Sequence, residues 1–311
     1  MRYIKDLREG DSLKEVFFCK QFNQLKTKVG KTYYAITLQD KTGTLDAKVW
    51  DLGPGIEHFE ALDFIHVEGT ITSYQGALQL NVSRLFKASE GSYDPTDYMP
   101  STEKDVKAMF AELMSYIEKV KEPHLAELLK SLFVEDKEFI KEFVKRSAAK
   151  TVHHSFMGGL LEHTLSVTQN CDYFADHYPM LNRDLLLTAA ICHDIGKVEE
   201  ISDFPANDYT DEGNLIGHIV VGAEMVSERI KKIPGFPKVL GQELRHCILA
   251  HHGELEFGSP KKPAIAEAFA LNFADAVDAK METLKELFSG YDDKTTWLGF
   301  QKFLDGNIRK T

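Results

Sequence analysis

The dipeptide His193-Asp194, inside Ala189-Ala190-Ile191-Cys192-His193-Asp194-Ile195-Gly196-Lys197, sets an imidazole beside a carboxylate at the end of an apolar helical run. Neighbours such as Leu187 and Ile191 call for burial, and buried polar groups must find partners. Adjacent positions on a helix point about 100° apart, so this pair can flank one ion but cannot enclose it. Other segments must supply the rest of the shell. Nine of the twelve histidines fall between His153 and His252. His163 lies upstream of the doublet; His218, His251, His252 and Asp275 follow it. A divalent cation satisfies such a set of imidazoles and carboxylates economically, and we read His163, His193, Asp194, His218, His251, His252 and Asp275 as candidate metal ligands. The His251-His252-Gly253 ending has a second explanation, since a histidine in the last turn before glycine also suits a helix C-terminus. Asp275 lies in the apolar run Ala268 to Lys280, where a carboxylate needs a partner; Asp278, one turn on, is a rival ligand or an acceptor for one.

The first third of the chain has a different period. Thr32 to Leu38 and Thr44 to Trp50 alternate in polarity around the turn Asp40-Lys41-Thr42-Gly43, a hairpin pattern. Two more alternating runs, Phe64 to Tyr74 and Ala77 to Phe86, flank Gln75-Gly76, and Gly53 to Ala61 is expected to form a short helix. Residues 13 to 87 thus read as five strands with a helix between the third and fourth, the order of an OB-fold barrel, and the stretch Leu38 to Trp50 resembles the nucleic-acid-binding OB family. Residues 88 to 101 hold two prolines and a glycine without periodicity and read as a linker. Beyond them, 103 to 120 and 124 to 146 are expected as helices, and the remainder is expected to be helical too, with Asn182 capping the helix that delivers the doublet.

The ligand set resembles the HD-domain metal-dependent phosphohydrolase superfamily, whose signature is a His, a His-Asp doublet and a distant Asp. The resemblance assigns these to His163, His193, Asp194 and Asp275. It also implies that His218 and His251-His252 belong to a second metal position, with Asp194 as the bridge. Two-metal HD-GYP phosphodiesterases carry a Glu four residues before the first His, and this chain has Gly159 there, so one or two ions remain open. The segment His153 to Thr164, the OB-like start and the Ala-Val-Asp-Ala-Lys-Met ending together resemble the YhaM-type 3′-to-5′ exoribonucleases of Gram-positive bacteria over nearly the whole chain. That resemblance implies a polymer substrate, 3′-to-5′ polarity and a manganese preference, with His153 and His154 along the substrate path.

The expected fold is therefore a multi-domain α+β chain: a five-stranded OB-fold β-barrel (1–90), a linker (91–101) and an all-α HD domain (102–311). The expected activity is hydrolysis of single-stranded RNA to mononucleotides. Mixed nitrogen and oxygen ligands suit Mn²⁺, with Fe²⁺, Co²⁺ or Zn²⁺ as alternatives, better than Mg²⁺. Such an ion lowers the pKa of bound water and neutralises phosphoryl charge, with Asp194 and Lys197 as the catalytic pair and Lys197 also placed to touch the substrate phosphate. On the barrel, Tyr33 and Trp50 are candidates for base stacking and Lys31 and Lys48 for the backbone; alternation puts Tyr33 and Tyr34 on opposite faces, so at most one of them is available. Asp278 completes the substrate-binding candidates.

Residues 1 to 90 hold twelve basic and twelve acidic side chains, so the whole net charge of −11 falls in the remainder. This excludes binding by bulk electrostatics and leaves a local groove. The charged start and the lack of a long apolar run lead us to expect a cytoplasmic protein without a membrane anchor, and the scattered Cys19, Cys171, Cys192 and Cys247 to expect buried free thiols. Single-stranded DNA as a further substrate and assembly into a homo-oligomer stay open. Two other readings compete: an HD enzyme of small nucleotides or cyclic dinucleotides with a regulatory barrel, and a non-catalytic single-strand-binding protein.

Overall fold

Period-two alternation is realised as five strands: β1 (Ser12–Lys26), β2 (Thr32–Asp40), β3 (Gly43–Val49), β4 (Phe64–Tyr74) and β5 (Ala77–Lys87). In this computed structural model, residues 1–74, 77–150, 154–204, 206–289, 291 and 295–311 are described; the expected Gln75-Gly76 turn lies outside them. Strand β1 is long enough to serve two neighbours. Ser12 to Phe18 pair with β4, and Phe18 to Lys26 pair with β2. An irregularity between Cys19 and Gln21 bends β1 between its two partners. The barrel closes in the order β1-β2-β3-β5-β4, with β3 and β5 parallel. Closure leaves Phe17, Ile36, Leu38, Ile65, Val67 and Leu80 almost fully buried inside.

The helix expected over Gly53 to Ala61 is absent. This stretch holds turns, and its backbone bonds to β5 instead: Leu85 N donates to Gly55 O (2.9 Å) and Glu57 N to Leu85 O (2.8 Å). Gly53, Pro54 and Gly55 disfavour a helical turn, while Ile56 packs against the barrel core and Phe59 is buried in it. The chain divides into Met1–Ser101 with Phe204–Ala206, and Thr102–Asp203 with Asn207–Thr311. The stretch 91–101, expected as a linker, lacks a long element yet is anchored on the barrel. Tyr93 stacks on Phe64 at 4.1 Å, Tyr98 and Met99 are buried, and Gln39 Nε2 donates to Tyr98 O at 3.2 Å.

The second unit begins with α1 (Val106–Ile117), α2 (Pro123–Lys130) and α3 (Lys137–Lys145). The single helix expected over 124 to 146 is broken at Asp136, after a π-helical turn at Ser131–Glu135. Asp136 leaves helical geometry, caps α3 by accepting from Phe139 N (3.0 Å), and pairs with Arg229. Phe133, Phe139 and Phe143 then cluster across the break. The remaining helices are α4 (Gly159–His177), α5 (Arg183–Cys192), α6 (Lys197–Glu200), α7 (Asp211–Leu215), α8 (His218–Lys232), α9 (Lys238–Ala250) and α10 (Ala266–Ser289). The unit is helical, as expected, up to a short terminal addition that the sequence reading did not include. It ends in a hairpin of β6 (Trp297–Gln301) and β7 (Gly306–Arg309), whose alternation is too short to register as a period. Among the described residues no helix is long and apolar enough to cross a membrane, and all four cysteines are buried and free.

Candidate metal centre

Five helices deliver the site. Asn182 caps α5 by accepting from Leu185 N, and the apolar run from Leu185 to Cys192 is wholly buried, which drives the helix end and its His193-Asp194 turn into the interior. Helix α4 brings His163, α8 starts with His218, α9 ends at His251 and His252, and α10 carries Asp275 and Asp278.

Asp194 stands at the centre. Its Oδ2 lies 3.3 Å from His163 Nε2 and from His193 Nε2, and 2.7 Å from Lys197 Nζ. Its Oδ1 faces the other way, 3.4 Å from His218 Nε2 and 3.6 Å from His251 Nε2. Asp275 Oδ1 approaches His163 Nε2 to 3.3 Å. Among the four groups whose ligand atoms lie within 4.8 Å of one another in the described residues, His163, His193 and Asp275 gather on one side and His218, His251 and His252 on the other, with His193, Asp194 and His251 joining them and His154, His163 and Asp278 behind.

Every imidazole presents Nε2 to the centre because something behind it takes Nδ1. The Nδ1–H of His193, His251 and His252 donates to the carbonyls of Ala190 (2.7 Å), Ile248 (2.7 Å) and Phe257 (2.8 Å), which can only accept. Carboxylates do the same for the others: Glu200 Oε1 for His218 (2.8 Å) and Asp278 Oδ2 for His163 (2.6 Å). For His218, His251 and His252 this fixes the tautomer and leaves the Nε2 lone pair for a metal; a metal would have to displace a proton from Nε2 of His163.

The electrostatics agree. Burial pushes His218 and His251 below the usual histidine range and His252 down to about 4, so these imidazoles are neutral ligands at neutral pH. For His163 burial acts in the same direction, but hydrogen bonds to Asp194, Asp275 and Asp278 outweigh it and hold the ring well above its ordinary value. Burial also opposes ionisation of Asp194, yet Lys197 and His193 keep it well below the carboxylate range. Asp194 Oδ1, His218 Nε2 and His251 Nε2 are buried with no hydrogen-bond partner among the described residues. Nitrogen and oxygen lone pairs left bare and convergent are what a divalent transition ion satisfies, so the residues fit the group.

Glycines permit the approach. A Cβ on Gly196 would stand 2.1 Å from His218 O and 2.7 Å from Gly222 N, so only glycine lets α8 close on the turn after the doublet. A Cβ on Gly159 would meet His154 O at 2.1 Å, which explains why no Glu stands there.

The HD domain family model matches residues 160–280. The 3′-5′ exoribonuclease YhaM of Listeria innocua is 33% identical over 289 residues, covering 91% of this chain and 90% of that protein. That of Bacillus velezensis is 33% identical over 277 residues, covering 88% and 86%. The chain belongs to the YhaM family. Among solved structures, the HD domain of the Listeria monocytogenes phosphodiesterase PgpH is 20% identical with a TM-score of 0.32, covering 48% of this chain and 75% of that one. The second OB-fold domain of replication protein A from Methanococcus maripaludis is 18% identical with a TM-score of 0.24, covering 30% and 98%.

In this YhaM-family chain the seven expected ligands converge. His154, expected along the substrate path, is buried behind His163, where Asp278, read from the sequence as a rival ligand, an acceptor for one or a substrate contact, accepts from His163 and takes His154 Nε2 at 3.0 Å; His153 lies outside the described residues. Lys197 is buried against Asp194 yet lines the cavity that opens on the site. On the barrel, Tyr33 stacks on Trp50 with centroids 4.7 Å apart, and Trp50 Nε1 donates to Asn81 Oδ1 at 3.1 Å. Tyr34 turns inward against Phe22 and Phe59, so Tyr33 is the outward one. Lys48 lies opposite Asn81 on the adjoining strand, and Lys31 reaches Asp51 at 3.5 Å. Sequence reasoning missed Glu200. Its signal was an acid one turn after Lys197, between the apolar Val198 and Ile201.

Proposed function

We propose that this chain is a metal-dependent 3′-to-5′ exoribonuclease acting on single-stranded RNA, with Mn²⁺ as the preferred ion. The observation that carries the reading is Asp194, whose two oxygens each face a different histidine group beside a cavity of about 1160 Å³. Family membership supports polymer hydrolysis: the curated relatives are named 3′-5′ exoribonucleases.

His163, His193, Asp194 and Asp275 would hold one ion, and His218, His251 and His252 a second, with Asp194 shared. When bound, divalent ions lower the pKa of water and offset the charge growing on phosphoryl oxygens. The protein's own groups do the rest. Lys197, kept protonated by Asp194 although burial opposes it, holds that carboxylate ionised and offers its remaining N–H donors to a phosphoryl oxygen. Glu200 and Asp278 keep His218 and His163 oriented. On the barrel, Tyr33 and Trp50 take bases by stacking while Lys31 and Lys48 follow the backbone. We place the protein in the cytoplasm and leave single-stranded DNA as a second substrate to the same assay.

A 5′-labelled single-stranded RNA is incubated with metal-stripped protein and then with each cation in turn. Progressive shortening of the labelled strand on adding Mn²⁺ is expected. Immediate release of a labelled mononucleotide would reverse the polarity. Turnover of free nucleotides without RNA shortening would favour the small-nucleotide reading.

A further inference from the structure

The cavity beside Asp275 is built of more than metal ligands. On α10, Phe269, Phe273, Ala276 and Lys280 recur at intervals of four, three and four, which is one helix face, and all four line the cavity. Ala268, Leu271 and Ala274 are buried on the opposite, core side. The two phenylalanines stay open, 46% and 57% exposed, with ring centroids 6.5 Å apart and planes tilted by 42°, so neither lies flat on the other and each offers a face. Phe257, 63% exposed, joins them from the turn after His252, and Phe303, 52% exposed, from the turn between β6 and β7. Phenyl rings wetted around one cavity do nothing for the core, and a contiguous apolar surface of this kind marks a binding site.

Its cations complete the chemistry. Lys197 and Lys262 are paired with Asp194 and Glu254, whereas Lys280 and Lys302 make no ion pair among the described residues. Asp305 is the other acid at the rim. In the part of the chain that carries the whole net negative charge, lysines interleaved with flat apolar rings match a ligand that alternates planar bases with phosphates.

We propose that this face of α10, with the β6–β7 turn opposite, seats the last nucleotides at the 3′ end of the strand. Phe269 and Phe273 stack bases, and Lys280 and Lys302 pair with the phosphates between them. The scissile phosphate is thereby delivered to Lys197, which is paired with Asp194 and shares the cavity edge with His163, His252 and Asp275. The inference rests on the exonuclease reading, but its test is independent of turnover.

Full-length protein in EDTA is titrated into a single-stranded RNA carrying 2-aminopurine at its 3′ terminus, a base whose emission falls when it stacks. Binding of the parent protein is expected to quench it. The double variant Phe269→Ala with Phe273→Ala should weaken binding by about tenfold or more and abolish the quench. Phe273→Trp keeps a ring and should keep both, while Phe273→Leu keeps only the apolar contact and should lose the quench. Lys280→Ala should flatten the salt dependence of binding. Equal affinity and quench in the parent and the double variant, or equal behaviour of the Leu and Trp variants, would overturn the proposal. Failure of Mn²⁺-loaded parent protein to shorten RNA would instead remove the exonuclease reading.

Discussion

Asp278 shows how much of a metal centre lies behind its ligands. It does not line the cavity beside Asp275, yet its Oδ2 fixes Nδ1 of His163. Asp278→Asn should lower Mn²⁺ affinity and activity by about 10- to 100-fold, and Glu200→Gln should act similarly through His218. Titration calorimetry checks the first effect and RNA turnover over a Mn²⁺ series the second; unchanged affinity in both variants would deny these acids an orienting role. Asp136 illustrates a residue whose value is to the fold. The Phe139 N–H first, and then Arg229, hold its carboxyl below the usual range. Replacing it with Ala should cost about 1 kcal/mol at neutral pH. A depressed folded pKa gives stability that is complete above the unfolded value of about 3.9 and is lost as pH falls through the folded one. The difference between Asp136→Ala and parent in urea unfolding should therefore shrink on acidification, and a constant gap would contradict the assignment.

At the scale of elements, Gly196 decides whether α8 can reach the centre. Gly196→Ala inserts a methyl group where His218 O and Gly222 N already lie, which should cost about 1–3 kcal/mol. It should also withdraw His218 from Asp194, reducing bound Mn²⁺ per chain as read by elemental analysis. Full occupancy would show that α8 tolerates the displacement. Much at this scale was legible because periodicity writes burial into the chain. The hairpin around Asp40 to Gly43, the cap at Asn182 and the start of a helix at His218 all follow from local chemistry. What escaped was decided by partners distant in sequence. Ile56 and Phe59 serve the barrel rather than a helix; the break at Asp136 depends on Arg229, and nothing within the apolar run Ala268 to Lys280 marks Phe269 and Phe273 as exposed in a cavity. The convergence of the candidate metal ligands was legible for a different reason, since only a few residue types bind transition ions. Glu200 was not, and Asp278 could be read only as a rival ligand or an acceptor for one, because acids that orient ligands have no spacing rule.

Across the whole molecule, the candidate metal ligands lie in the second unit and the stacked Tyr33 and Trp50 in the first. Mn²⁺ at about 100 times its Kd should stabilise the helical unit by about 2.7 kcal/mol. Calorimetry with and without EDTA should therefore move one transition and leave the barrel's where it was; two transitions moving together would show that the units unfold as one. Replacing Tyr33 and Trp50 by Ala should weaken single-stranded RNA binding by about 1–3 kcal/mol per stacked base without altering Mn²⁺ uptake. Fluorescence anisotropy measures the first, and no loss of affinity would remove the barrel from substrate capture.

The carbonyls of Ala190, Ile248 and Phe257 that seat three of the imidazoles belong to the peptide backbone, not to side chains. Drift at those three positions therefore leaves the anchoring oxygen in place as long as the local turn persists. The centre's aim is inherited from chain geometry, and only the groups that face the ion need keep their identity.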